Sequence, residues 1–217
     1  MILFLEDWER FPSAIPDFDT PNQSFVEFSA LLKSMGVKNY LFPLALLQPE
    51  LKGVDPFDPN LDQETISKIW LECYYNFWYF LREVCRFPAT TGSEHNPVRA
   101  NRSIIGLCWV LMNNIDAFWL QPRQTGKSAA ADAVTEWLTF IRSEEATHFL
   151  VTKDNGLLSK NIATLKKMRD ILPPYFYIPN RKDKDTELYL NYAELGNEVV
   201  GKGGQKDPDS AEKVGRG

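Results

Sequence analysis

Histidine is almost missing from this chain. Among 217 residues only His95 and His148 occur, far apart. No pair at metal-ligand spacing results, which argues against a zinc site. Cysteines number three, Cys73, Cys85 and Cys108, none in a C-x-x-C pair. Each sits in apolar surroundings, so they read as buried free thiols of a reducing compartment. No apolar run reaches the length of a membrane span. The start, Met1-Ile2-Leu3-Phe4-Leu5-Glu6, lacks a basic leader region. The expectation is a cytoplasmic protein with no membrane contact. A surplus of positive charge is missing too. Lys and Arg total 24 against 29 Asp and Glu, a net charge of −5. That excludes a nucleic-acid surface made of the whole protein, though not a local basic patch.

What remains is an ordinary globular composition, 44% hydrophobic and 24% charged. It suits one domain, or one with a smaller companion. Residues 1–22 are rich in proline, acids and aromatics and read as an extended arm. Ser24 is expected to cap a helix with Phe25, Phe28, Leu31, Leu32 and Met35 inward and Gly36 as its stop. A longer helix is expected after Asn60, with Gln63 in the capping-box position and apolar residues from Ile66 to Val84 at helical spacing. Its aromatics could be read as a base-stacking platform. Spacing of three and four, with only Lys68 and Arg82 as basic residues, favours core packing.

Thr90 to Pro97 marks a subdomain boundary. Beyond it, Ile104 to Leu111 reads as a helix and Ile115 to Leu120 as a strand. Val134, Trp137, Leu138 and Ile141 line one face of the next helix. His148 to Thr152 is a strand and Leu158 to Leu172 a helix. Glu187–Asn191 and Asn197–Val200 are two further strands. The order predicts an α/β fold: a partial P-loop NTPase parallel sheet flanked by helices over 96–217, after a mostly helical N-terminal subdomain over 1–95.

Between the strand at Leu120 and the helix stands Gln121-Pro122-Arg123-Gln124-Thr125-Gly126-Lys127-Ser128. Strand, tight loop, Gly-Lys-Ser, helix is the order of a phosphate-binding loop. Loop amides and the helix N-terminus direct positive partial charge at one spot. The amides of Thr125, Gly126 and Lys127 can cradle phosphates, Lys127 can reach the β- and γ-phosphates, and the Ser128 hydroxyl can ligate Mg²⁺. The glycine that usually leads such a loop is Gln121 here. An ordinary polar turn with Lys127 in solvent also fits these residues.

Arg123, Gln124, Gly126, Lys127 and Ser128 together resemble the deviant phosphate loop of tailed-phage terminase large subunits, the ATPases that package viral DNA. Val151-Thr152-Lys153-Asp154, the helix closing in Leu172-Pro173-Pro174, and the stretch ending Val214-Gly215-Arg216-Gly217 resemble flanking segments of that family. The likeness covers Asn101 to Gly217. It implies a viral protein of the host cytoplasm that binds ATP and Mg²⁺. It further implies duplex DNA, a small terminase subunit and the portal ring as partners. Arg123 would sense the γ-phosphate or act as an arginine finger, or would fix the loop through a salt bridge. Two features of the family are missing. No four apolar residues followed by Asp-Glu come after the loop, and no acidic nuclease cluster follows. The resemblance therefore implies the front part of a packaging ATPase, ending before Walker B, which binds ATP and hydrolyses it poorly. Upstream, Asn96, Arg99, Asn101 and Arg102 are the candidates for contacting the base. A different P-loop NTPase, and a non-catalytic interaction protein with a vestigial nucleotide loop, remain alternatives.

Overall fold

The computed structural model describes residues 1–89, 95–120, 122, 126–152 and 154–203. The chain divides into two compact units, Met1–Val134 and Thr135–Gly217.

The first unit opens with a short helix α1 (Asp7–Arg10) and strand β1 (Ile15–Pro16), then helix α2 (Gln23–Ser34). Strand β2 (Ala45–Leu46) pairs antiparallel with β1. Helix α3 (Gln63–Tyr75) and the single turn α4 (Phe77–Tyr79) run into a π-helical turn, Phe80–Val84. Strands β3 (Arg86–Pro88) and β4 (His95–Pro97) form a second antiparallel pair, and helix α5 (Arg102–Met112) follows. Helix α6 (Lys127–Trp137) begins in this unit.

The caps differ from expectation by two residues. Asp62, not Asn60, starts α3, its carboxylate accepting from Thr65 N at 2.7 Å. Asn60 instead binds Asp58 in the preceding turn. Ser24 lies inside α2, donating to Asn22 Oδ1 (2.7 Å) and accepting from Ala100 N (3.0 Å). Both true starts precede the apolar stripe by a polar turn, so periodicity alone misplaces them.

The long helix expected to Val84 breaks at Asn76. Its side chain donates to Ala45 O (2.9 Å) and Glu72 Oε1 (2.7 Å). Glu72 in turn accepts from Leu47 N and Gln48 N, both at 2.9 Å. A buried carboxylate thus ties helix to strand with three donors. Burial raises its pKa, and hydrogen bonds from Asn76, Leu47 and Gln48 oppose that shift. Around this anchor Phe77, Trp78 and Phe80 are fully buried, with Phe42 edge-on to Trp78 at 4.8 Å. The aromatic stripe is core.

Arg82 is buried with them. Its Nε donates to Glu83 Oε1 (2.6 Å) and its Nη1 to Pro43 O (2.7 Å), while Nη2 stands 3.9 Å from Asp17 Oδ2. Burial raises the Asp17 carboxyl, and the Arg82 charge offsets part of the rise. This interior ion pair satisfies the rule that buried charge needs a partner.

The second unit continues α6 into a π-helical turn, Leu138–Arg142. Strand β5 (Thr147–Thr152), helix α7 (Asn155–Ile171) and strands β6 (Asp185–Thr186), β7 (Tyr189–Tyr192) and β8 (Asn197–Gly203) complete it. The sheet order is β5-β8-β7-β6. β5 and β8 are parallel, with Phe149 opposite Val200, and the other pairs are antiparallel. Helix α7 covers one face with Leu158, Ile162, Leu165 and Met168, all buried. A Cβ on Gly201 would lie 2.7 Å from Leu158, so only glycine lets helix and sheet meet there.

The fold is mixed α/β with small sheets; among the described residues one strand pair, β5–β8, is parallel, and a parallel P-loop sheet is not shown. Residues 115–120, expected as its strand, adopt no regular structure and pair with no strand. Phe118 is 90% and Leu120 81% exposed. A parallel-sheet strand is held by neighbours on both sides and by burial of both faces; this segment has neither. Among the described residues no helix is long and apolar enough to cross a membrane.

Candidate functional site

Of the run Gln121 to Ser128, the structure describes Pro122, Gly126, Lys127 and Ser128. Arg123, Gln124 and Thr125 lie outside the described residues, as do Gln121 and Lys153. Gly126 has φ +90°, a left-handed conformation that side chains resist. A Cβ there would also meet Ile104 Cγ1 at 2.9 Å and Cδ1 at 3.0 Å. Glycine is required twice over, by the backbone and by the first turn of α5 packed beneath it. The carbonyl of Gly126 accepts from Ala130 N at 3.0 Å, which starts α6.

Lys127 and Ser128 in the first turn of α6 are exposed, and Ala130, Ala133 and Val134 beyond them are buried. No acidic residue occupies the first turn of α6. Lys127 pairs with no described carboxylate. A lysine at the positive end of a helix dipole, without an acid nearby, is locally unfavourable and suits an anion. The Ser128 hydroxyl can supply one oxygen to a hard divalent cation, and phosphate oxygens and water would supply the others. No cluster of three or more metal-binding side chains occurs among the described residues. The residues present therefore fit Mg²⁺ only as part of a nucleotide complex.

Of the four base candidates, Asn101 lies beside the loop. Its Oδ1 accepts from Ile104 N at 3.0 Å and caps α5. Its Nδ2 would lie 4.0 Å from a Cβ on Gly126. Arg102 lines an apolar cavity on α5 instead, and Asn96 and Arg99 are exposed.

One acidic group near the loop escaped sequence reading. Asp132, in the second turn of α6, is 7% exposed, and burial lifts its pKa to about 7. A buried position in an Ala-rich helix is the signal that could have found it. Five residues from Lys127, it faces about 140° away around the helix and does not neutralise that lysine.

The sequence matches no protein-family model, and no curated protein matches it.

Proposed function

We propose that this chain is the ATP-binding front part of a viral DNA-packaging motor of the terminase large-subunit kind. One observation carries the reading. A left-handed glycine, tight against Ile104, stands directly before Lys127-Ser128 at the start of an 11-residue helix. That arrangement offers helix N–H groups, a free ammonium and a hydroxyl to one ligand, the chemistry a Mg²⁺-triphosphate needs.

In this reading Lys127 neutralises the β- and γ-phosphates and Ser128 helps hold Mg²⁺. Thr125 and Gln124 complete the cradle, and Arg123 reaches the γ-phosphate. Asn101 caps α5, whose Ile104 packs against Gly126. Mg²⁺ bound with the nucleotide supplies charge neutralisation at the phosphates. The parallel P-loop sheet belongs to the proposal as well, with β5 and β8 as its parallel pair. Coupling of hydrolysis to DNA movement, and the small terminase and portal partners, rest on the likeness of the loop alone.

Calorimetry with ATP and Mg²⁺ tests the reading. Saturable binding by the wild type, lost in Lys127→Ala, is expected. Equal affinity in both proteins would sink the phosphate-loop assignment. Binding of neither, alongside a tight protein partner, would favour the alternative of an interaction protein with a vestigial loop.

A further inference from the structure

Two helices of the first unit leave a groove between them. On α2, Phe28, Leu32 and Met35 recur at the i, i+4, i+7 spacing of one helix face. On α5, Arg102, Ile105 and Trp109 recur at i, i+3, i+7. The two stripes line a cavity of about 450 Å³. Phe42 forms part of its floor at 7% exposure, and Phe28 and Ile105 are buried at 6% and 2%. The rim is open, with Met35 55% and Trp119 36% exposed. Trp119 closes one side, its ring 3.1 Å from where a Cβ on Gly106 would stand.

Two largely apolar stripes at helical repeat, each about two turns long, line one groove and present the seat of a third helix. A ligand of that shape fills both stripes with residues at its own i, i+3 or i+4, and i+7 positions. The groove carries one charge, Arg102, and no carboxylate. Arg102 has neither ion pair nor hydrogen bond with any described residue. Arg102 is exposed at the groove, where a guanidinium favours an acid on whatever fills it.

We infer that the α2–α5 groove docks an amphipathic helix of a partner protein, whose carboxylate meets Arg102. The inference is independent of nucleotide binding. It concerns a face distinct from Lys127 and Ser128, and neither residue lines the groove.

A yeast-displayed library of helical peptides, panned against the full 217-residue chain, tests it. Enriched peptides are expected to carry large apolar residues at i, i+3 or i+4, and i+7, with Asp or Glu about one turn away. Met35→Glu should weaken their binding about thirtyfold, as loss of an interface anchor does. Arg102→Glu should weaken it about tenfold, and exchanging the peptide's acid for Lys should restore it. Circular dichroism and melting confirm that both variants fold. Four results would overturn the inference. One is an absence of enriched helical peptides. Another is enriched peptides indifferent to both substitutions. A third is a wild-type dimer that Met35→Glu dissolves, which assigns the groove to a second copy. The last is binding to phosphatidylcholine vesicles lost in Met35→Glu, which assigns it to a lipid surface.

Discussion

Helices α3 and α6 begin in opposite ways. Asp62 caps α3 and Glu64 sits in its first turn, so the positive end of that helix is already neutralised. The hydrogen bonds from Thr65 hold the Asp62 carboxyl below its ordinary pKa. Helices α5 and α7 follow suit, capped by Asn101 and Asp154. Helix α6 follows a left-handed glycine with a lysine and has no first-turn acid. Its one acid in the first unit, Asp132, is buried, with its pKa raised instead of lowered. A helix start completed by its own side chains serves stability. One that begins with a lysine and has no first-turn acid favours an anion.

The largest expected effect breaks the comparison at its centre. Lys127→Ala should weaken ATP–Mg²⁺ binding by about a hundredfold, about 3 kcal/mol, the scale of one or two charge-assisted hydrogen bonds. Calorimetry reads it, and a folded-state melt should shift little because Lys127 is exposed. An unchanged affinity would make α6 an ordinary helix start.

Next is the acid. The folded pKa of Asp132 lies near 7, above the ordinary 3.8. Between those values the folded state holds more protons than the unfolded one, so this group's stabilising contribution falls as pH rises from about 4 to 7. Above pH 7 the loss is complete. Asp17 and Glu72, also raised by burial, act in the same sense, so a variant is needed to isolate Asp132. Asp132→Asn should remove its share of the slope and stabilise the protein by about 2 kcal/mol at pH 8. Urea unfolding at pH 5 and pH 8 reads it, and identical slopes in both proteins would refute the assignment.

A smaller loss is expected for Gly126→Ala. Left-handed strain and the contact with Ile104 should cost about 1–2 kcal/mol, read by urea unfolding. Should stability stay the same, the glycine would not be what sets the start of α6.

The smallest effect sharpens the other side. Asp154 accepts from Leu157 N at 2.8 Å to start α7. Asp154→Ala should cost about 1 kcal/mol in urea unfolding and leave ATP binding unchanged. A lost nucleotide affinity there would show that capped and open starts are not separable in this protein.

Much of the local pattern was readable in advance. Phe25 and Phe28 of α2 and Ile69 and Cys73 of α3 are buried where periodicity placed them, whereas Met35, expected inward, lies past the end of α2 and is 55% exposed. Helix α7 forms where Leu158 to Leu172 reads as a helix, with Ile162, Leu165 and Met168 buried. Asn76 was not readable as a break, because only its partners at Ala45 and Glu72 explain why the helix stops there. Residues 115–120 carry the composition of a strand and have no strand beside them. Nor could one stripe on α2 and another on α5 disclose the groove between them.

Sequence alone determined the helical and strand periods, the Gly-Lys-Ser run ahead of a helix, and the net charge, because these depend on residue order and short-range sterics. Tertiary structure decided that Gly126 meets Ile104, that Asp132 is buried, and that Arg82 has the Pro43 carbonyl and Asp17 beside it. Each of those follows from how elements far apart in the chain pack together, and burial sets both the strength of a charge and the room for a side chain.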